Sequence, residues 1–398
     1  MARILISSLG SGNKEAGEYK QAKYEIDGKV YKTPFIADAL NQHIQYDKIF
    51  IVGTNKSIWD EAYTVFGGTD EKYHEELFEK KDKGSIKDVD LVKFNKILKN
   101  GSKSIIINYG LNDNELWFNF EKFLEIEKLI ENGDEIFLDI THSFRSLSIM
   151  SFVMAQFSST ISNKNFKIKG LYYGMFEYSY ENNGITPIVD IKLLLEIQEW
   201  IKAIDAIKKY SDFNPLVALL ETAGIEKNVN NAFIQLNNTI SMANMAAMKE
   251  FITNANKKIT AIENSNNKII ALLSPEIKNI VEELDKKKMS DFQFALAKWF
   301  YKNRNYAMSY MALAEAVVTK VCETKYSKYD SEDESIRNEA KKSIDHPYNK
   351  MYSTTLNDDG IAKIRHNIAH QLNNRKDKVN QDIQRLNNFL EKFESFFN

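Results

Sequence analysis

Short apolar runs alternate with helix-length stretches through the first half of the chain. ARILISSL, DKIFIVG, KSIIINYG, DEIFLDIT and IKGLYYGMF are β-rich, and each predicts a strand. Strands spaced by helical segments predict a mainly parallel sheet with helices on both faces. Between the first two runs, Tyr24 to Tyr31 alternates around Asp27-Gly28, which predicts a two-residue hairpin projecting from the sheet edge. The tract from Gly67 to Gly101 is rich in lysine and aspartate, holds one amphipathic segment near Val89 to Leu98, and is assigned no chemistry. After Thr186-Pro-Ile-Val-Asp190 the strand signals stop and helical periodicity takes over. Phe233, Ile240, Met248, Phe251 and Ile259 mark an apolar stripe through an asparagine- and lysine-rich region, and a compact helical domain begins near Asp291. The pattern divides the chain into an α/β domain over 1–190, a helical connector over 191–290 and an all-α domain over 291–398.

Composition adds boundaries to this picture. A chain of 398 residues suits two or more domains, and 43% apolar with 27% charged residues excludes a disordered protein. No run reaches the roughly 18 apolar residues of a membrane span. The opening MARILISSLGSG turns polar too soon for a signal peptide, so a cytoplasmic protein with no membrane partner is expected. The single cysteine, Cys322, reads as buried filler, and with six scattered histidines it gives neither a disulfide nor a zinc framework. A net charge of −2 supplies no global attraction for nucleic acid, so any RNA contact is local and brief.

In open parallel sheets ligands sit beyond the carboxyl ends of the strands. Strand one runs into Gly10, Ser11, Gly12 and Asn13, a small-residue loop that is either a plain turn or a place where backbone approaches a phosphate or ribose. It lacks the third glycine of a dinucleotide fingerprint and the Gly-Lys-Ser/Thr of a phosphate-loop ATPase. A second loop, Asp139-Ile-Thr-His-Ser-Phe-Arg145, joins a strand to an apolar helix expected over Phe144 to Phe157. Thr141 and Ser143 can cap that helix, its free N–H groups favour an anion, and His142 and Arg145 add side-chain donors. The alternative is a well-capped helix whose arginine pairs with a nearby carboxylate. Thr54 and Asn55 after the second strand, and Gly174 after Tyr172-Tyr173, would complete a polar rim suited to a ligand with several phosphates.

The other constellation is Ile364-Arg-His-Asn-Ile-Ala-His370. Ile361, Ile364, Ile368 and Leu372 recur at helical spacing, which leaves Arg365, His366, Asn367 and His370 to project away from the buried stripe. His366 and His370 share a face, whereas Arg365 and His370 lie about 140° apart around a helix and flank a groove. Histidine moves protons near neutral pH and arginine holds a phosphate and its developing charge, so the pair suits phosphodiester cleavage by the RNA 2′-hydroxyl. Two other readings stay open: a solvated helix face with incidental histidines, and a metal site completed by a third ligand such as Glu315.

Taken together, these residues resemble the CRISPR-associated Rossmann-fold plus HEPN proteins, ancillary ribonucleases of type III CRISPR systems. The resemblance rests on Leu9-Gly-Ser-Gly-Asn13, Thr33-Pro-Phe, Val52-Gly-Thr54 with Trp59, Asp139-Ile-Thr-His-Ser-Phe-Arg145, Tyr172-Tyr-Gly174, Pro187-Ile-Val-Asp190, and Arg365-His-Asn-Ile-Ala-His370, in that order. It implies a Rossmann-like CARF sensor domain followed by an all-α HEPN domain. It implies binding of cyclic oligoadenylate, with four adenylates favoured over six, followed by metal-independent, non-specific cutting of single-stranded RNA. No cofactor is implied. Both sites would form across a homodimer or a higher oligomer, without a stable complex with the CRISPR effector. Arg365 and His370 would be catalytic, supported by Asn367 and His366, while Gly10 to Asn13 and Thr141 to Arg145 would line the messenger site. The alternatives are a messenger-binding transcription regulator, for which no winged-helix pattern is visible, and a ring nuclease that degrades the messenger.

Overall fold

The structure is a computed structural model that describes the chain apart from residues 13, 16–17, 100, 143–144, 353–358 and 371–376. It divides into two compact units, Met1–Leu195 and Glu196–Asn398.

The first unit holds the strands β1 (Arg3–Leu9), β2 (Lys14–Glu15), β3 (Glu18–Tyr19), β4 (Ala22–Ile26), β5 (Lys29–Thr33) and β6 (Lys48–Gly53). They are followed by β7 (Lys103–Ile106), β8 (Glu135–Asp139), β9 (Lys167–Gly174) and β10 (Ile185–Asp190). Eight of them form one sheet in the order β5-β4-β10-β9-β8-β1-β6-β7, and β2 pairs only with β3. The five from β9 to β7 run parallel, β10 lies antiparallel to β9, and β4 joins β10 in parallel. Sequential strands lie on opposite sides of β1, so the chain reverses its winding direction there. That makes the carboxyl ends of β1 and β8 the expected crevice.

Alternation along the central strands explains why their sequences are apolar throughout. Ile4 and Ile6 of β1, with Phe50 and Val52 of β6, enter the core beneath helices Asp113–Leu129 and Arg145–Ile161. Leu5 and Leu9, with Ile49 and Ile51, enter the opposite core with Ile36, Leu40 and Trp59. A strand buried on both faces has no polar side to show. The Asp27-Gly28 hairpin does not project. Its strands β4 and β5 are hydrogen-bonded into the sheet as its edge, and the positive φ of Asp27 (49°) and Gly28 (76°) suits a type I′ turn. The lysine-rich tract folds into helices Glu71–Asp82 and Val92–Ile97 around a short 3₁₀ turn.

In the second unit the described residues form helices and no strand. One core runs from Trp200 through Phe233, Ile252, Ile277 and Phe300 to Phe393, and the five helix stripe positions named above are buried or half-buried on it. Cys322 is buried in that core.

Candidate functional site

The loops beyond the parallel strands of the first unit surround a cleft of about 910 Å³. Gly10, Ser11, Gly12, Thr54, Thr141, His142 and Gly174 all line it, so residues chosen from four separate loops converge. Asn13 and Ser143 lie outside the described residues. Helix Arg145–Ile161 begins at Arg145, whose side chain lies outside what the structure describes. Asn55 does not line the cleft: its amide donates to the Gly84 carbonyl at 2.8 Å and its carbonyl accepts from the Tyr109 hydroxyl at 3.3 Å, so it braces the loop from behind.

The loops are tied to one another. Ser57 Oγ donates to the Leu9 carbonyl at 2.6 Å and accepts from the Thr54 amide at 2.9 Å, while the Ile58 amide donates to the Gly10 carbonyl at 3.0 Å. At Gly12, φ is +65° and a Cβ would stand 2.7 Å from Ile58 Cγ2, so both conformation and space require glycine. The Gly174 amide donates to Thr141 Oγ1 at 2.8 Å, which uses the threonine to join the ends of β8 and β9.

Under the cleft floor lies a buried polar group. Asp139 accepts from Ser7 Oγ at 2.5 Å and from the Thr141 amide at 2.9 Å. Burial pushes its carboxyl above the usual aspartate range, with His142, Ser7 and Thr141 pulling back. Burial likewise holds the His142 imidazole below its ordinary value against the attraction of Asp139. His142 Nε2 lies 3.0 Å from the hydroxyl of buried Tyr24, so this nitrogen is already engaged by the edge hairpin. His142 therefore belongs to the frame of the site as well as to its lining. Sequence reasoning passed over Ser7 and Tyr24. A serine interrupting the apolar run of β1 was a signal; the tyrosine left none.

In the second unit, helix Ile361–Ala369 buries Ile361 and Ile364. His370 stands just past its last residue, with its amide donating to the His366 carbonyl at 3.0 Å, and the two imidazole centroids are 4.4 Å apart on an exposed face. Asn367 departs from expectation. It is buried, with neither amide atom hydrogen-bonded among the described residues, and does not project with the histidines. It lies only about 60° around the helix from Ile364, on the border of the stripe, and packing draws it inward. Leu372 lies outside the described residues.

Arg365 is half-buried and its Nη2 donates to Glu315 Oε1 at 3.1 Å, while Arg337 Nη2 donates to Oε2 of the same carboxylate at 2.6 Å. Arg337 also reaches Thr319 Oγ1 at 3.3 Å and the Ser331 carbonyl at 3.0 Å. One carboxylate thus holds guanidinium groups from two other helices. Buried Tyr352 is beside them, its hydroxyl pushed up to about 12 by burial and then by Glu315. Glu315 is committed to arginines rather than to the histidines, and among the described residues no group of three His, Cys, Asp or Glu is placed to hold a metal.

A doubly covered parallel sheet with a cleft at its switch point defines a Rossmann-like ligand-binding domain. Residues 4–177 match the family model described as "CRISPR system endoribonuclease Csx1, CARF domain", and residues 196–291 match "CRISPR-associated protein MJ1674, second domain". CRISPR-associated protein MJ1674 of Methanocaldococcus jannaschii is 31% identical over 351 residues, covering 81% of this chain and 54% of that protein. The chain thus spans about half the length of the curated relative it matches. Enterococcus italicus Csm6 bound to cyclic hexa-2′-fluoro-hexa-dAMP aligns with 12% identity and a TM-score of 0.41, over 99% of this chain and 92% of that one. Residues 4–177 thus form a CARF domain of the Csx1 type, and the chain as a whole is similar to CRISPR-associated protein MJ1674. Among the described residues no helix is long and apolar enough to cross a membrane.

Proposed function

We propose that this protein is a ribonuclease switched on by cyclic oligoadenylate. The messenger binds in the cleft of the CARF domain, and single-stranded RNA is cut by a HEPN-type site in the domain at 291–398. The observation that carries the reading is the convergence of Gly10–Gly12, Thr54, Thr141, His142 and Gly174 on one cleft of a Csx1-type CARF domain, while the Arg365/His370 pair lies in the other unit. The cleft is large enough for a nucleotide ligand. Lys20 and Lys56 in its lining, together with the backbone around Gly12, provide for phosphates.

At the cutting site, Arg365 holds the scissile phosphate and His370 transfers the proton as the RNA 2′-hydroxyl attacks, with His366 against its ring. The products carry a cyclic phosphate and a 5′-hydroxyl, and no divalent metal is needed. A homodimer fits helix Arg145–Ile161. Leu147 and Met154 face the core, while Ile149, Val153, Phe157 and Ile161 repeat every fourth residue on an exposed side. Such an exposed apolar stripe marks an association surface, and a two-fold axis through it suits a ring with an even number of adenylates, of which the family resemblance favours four over six. With the sites in separate units, the ring acts by favouring one arrangement of the protein over another.

The test is cleavage of a fluorogenic RNA with rings of four and six adenylates, with and without chelator, for wild type and His370→Ala. Ring-dependent, chelator-resistant cleavage is expected, falling on the order of a hundredfold to ten-thousandfold in His370→Ala while ring binding persists. A wild-type protein indifferent to every ring, or cleavage abolished by chelator and restored by zinc, overturns it.

A further inference from the structure

The cleft contains one feature that a phosphate site does not explain. Among its described lining residues Glu177 is the one carboxylate, and it makes no hydrogen bond or ion pair among the described residues. A free negative charge beside a polyanion repels it unless the carboxylate faces a part of the ligand that donates hydrogen bonds. Glu177 opens the 3₁₀ turn Glu177–Tyr180 between β9 and β10. In a 3₁₀ helix residues three apart eclipse, so Glu177 and Tyr180 stand on the same side. Phe176, Glu177 and Tyr180 all line the cleft, and the Phe176 and Tyr180 rings meet edge to face at 6.3 Å. The turn is held in shape: Ser179 Oγ donates to the Phe176 carbonyl at 2.6 Å, and the Gly184 amide donates to the Ser179 carbonyl at 2.9 Å.

Resting on the messenger reading above, we infer that this turn reads the base. An adenine stacks on the face of Tyr180, which Phe176 braces edge to face, and Glu177 accepts a hydrogen bond from its exocyclic N6 amine. Phosphates then lie toward Gly10–Gly12, Lys20 and Lys56, away from the carboxylate. A carboxylate accepts from an amine and repels the O6 of guanine or the O4 of uracil at the same place. The turn thereby disfavours guanylate- and uridylate-containing rings by setting acceptor against acceptor rather than by size.

The experiment measures binding of the full chain to cyclic tetra-adenylate and to the same ring built from purine riboside, which keeps the two-ring base and lacks only the amine. Wild type is expected to prefer adenine by about ten-fold or more, the scale of one specific base contact. In Glu177→Ala the two rings should bind within about three-fold of each other, in Glu177→Gln, whose amide oxygen still accepts from the amine, part of the preference should remain, and Tyr180→Leu should weaken both rings and keep the preference. A Glu177→Ala protein that retains the full wild-type preference overturns the role of Glu177 and leaves the messenger reading standing. A wild type that binds neither ring overturns both.

Discussion

Removing the Tyr24 hydroxyl tests how the sensor loop is held. In Tyr24→Phe the ring stays where it is, almost wholly buried, and only the 3.0 Å contact with His142 Nε2 is lost. A net hydrogen bond contributes about 0.5–1.5 kcal/mol, and a buried partner left unsatisfied costs a further share of about 1–3 kcal/mol. Because His142 is only half-buried, water can reach part of its ring, and a total of about 1–2 kcal/mol follows. For a unit of this length each kcal/mol lowers Tm by roughly 2–4 °C, so the transition of the first unit should move down by about 2–8 °C. The contact also holds the imidazole in place, so releasing it should weaken messenger binding by about ten-fold, the equivalent of one hydrogen bond. Calorimetric melting of the full chain with and without cyclic tetra-adenylate reads both effects. A Tyr24→Phe melt superimposed on wild type in both conditions refutes the view that the edge hairpin positions this loop.

Glu315→Gln should lower kcat for RNA by about ten- to a hundredfold through loss of guanidinium orientation at Arg365, with KM and the ring concentration for half-activation changed much less. Its stability cost should stay within about 1 kcal/mol because the pair is partly exposed, and an unchanged kcat in a rapid-quench assay removes Glu315 from the site. Placing aspartate at both Ile149 and Val153 should leave the chain folded, since both side chains face solvent, yet convert dimer to monomer in sedimentation equilibrium; an unaltered mass excludes this helix as the dimer surface.

The positions of the two candidate sites along the chain were legible because each depends on local pattern. A strand must end before a ligand crevice begins, and Gly10–Gly12 and Thr141–His142 sit at strand ends that periodicity alone locates. The stripe of Ile361 and Ile364 likewise fixes where Arg365, His366 and His370 emerge. Local pattern could not give Asn367, because a nine-residue helix offers too few turns to define the edges of its buried face. That edge is drawn by what packs against it.

The sequence by itself determined the α/β-then-α order, the double burial of the central strands and the loops that carry polar side chains. Tertiary structure alone decided the partners. Ser7 meets Asp139 across 132 residues because β1 and β8 pair in register, and Tyr24 meets His142 across 118 because the hairpin joins the sheet through β10. Glu315 reaches Arg337 and Arg365 because three helices share one core. Each of these contacts is a hydrogen bond between groups that periodicity treats as interchangeable polar positions. Their pairing follows from strand order and helix packing, which are set by the burial of the whole apolar surface and not by any single segment.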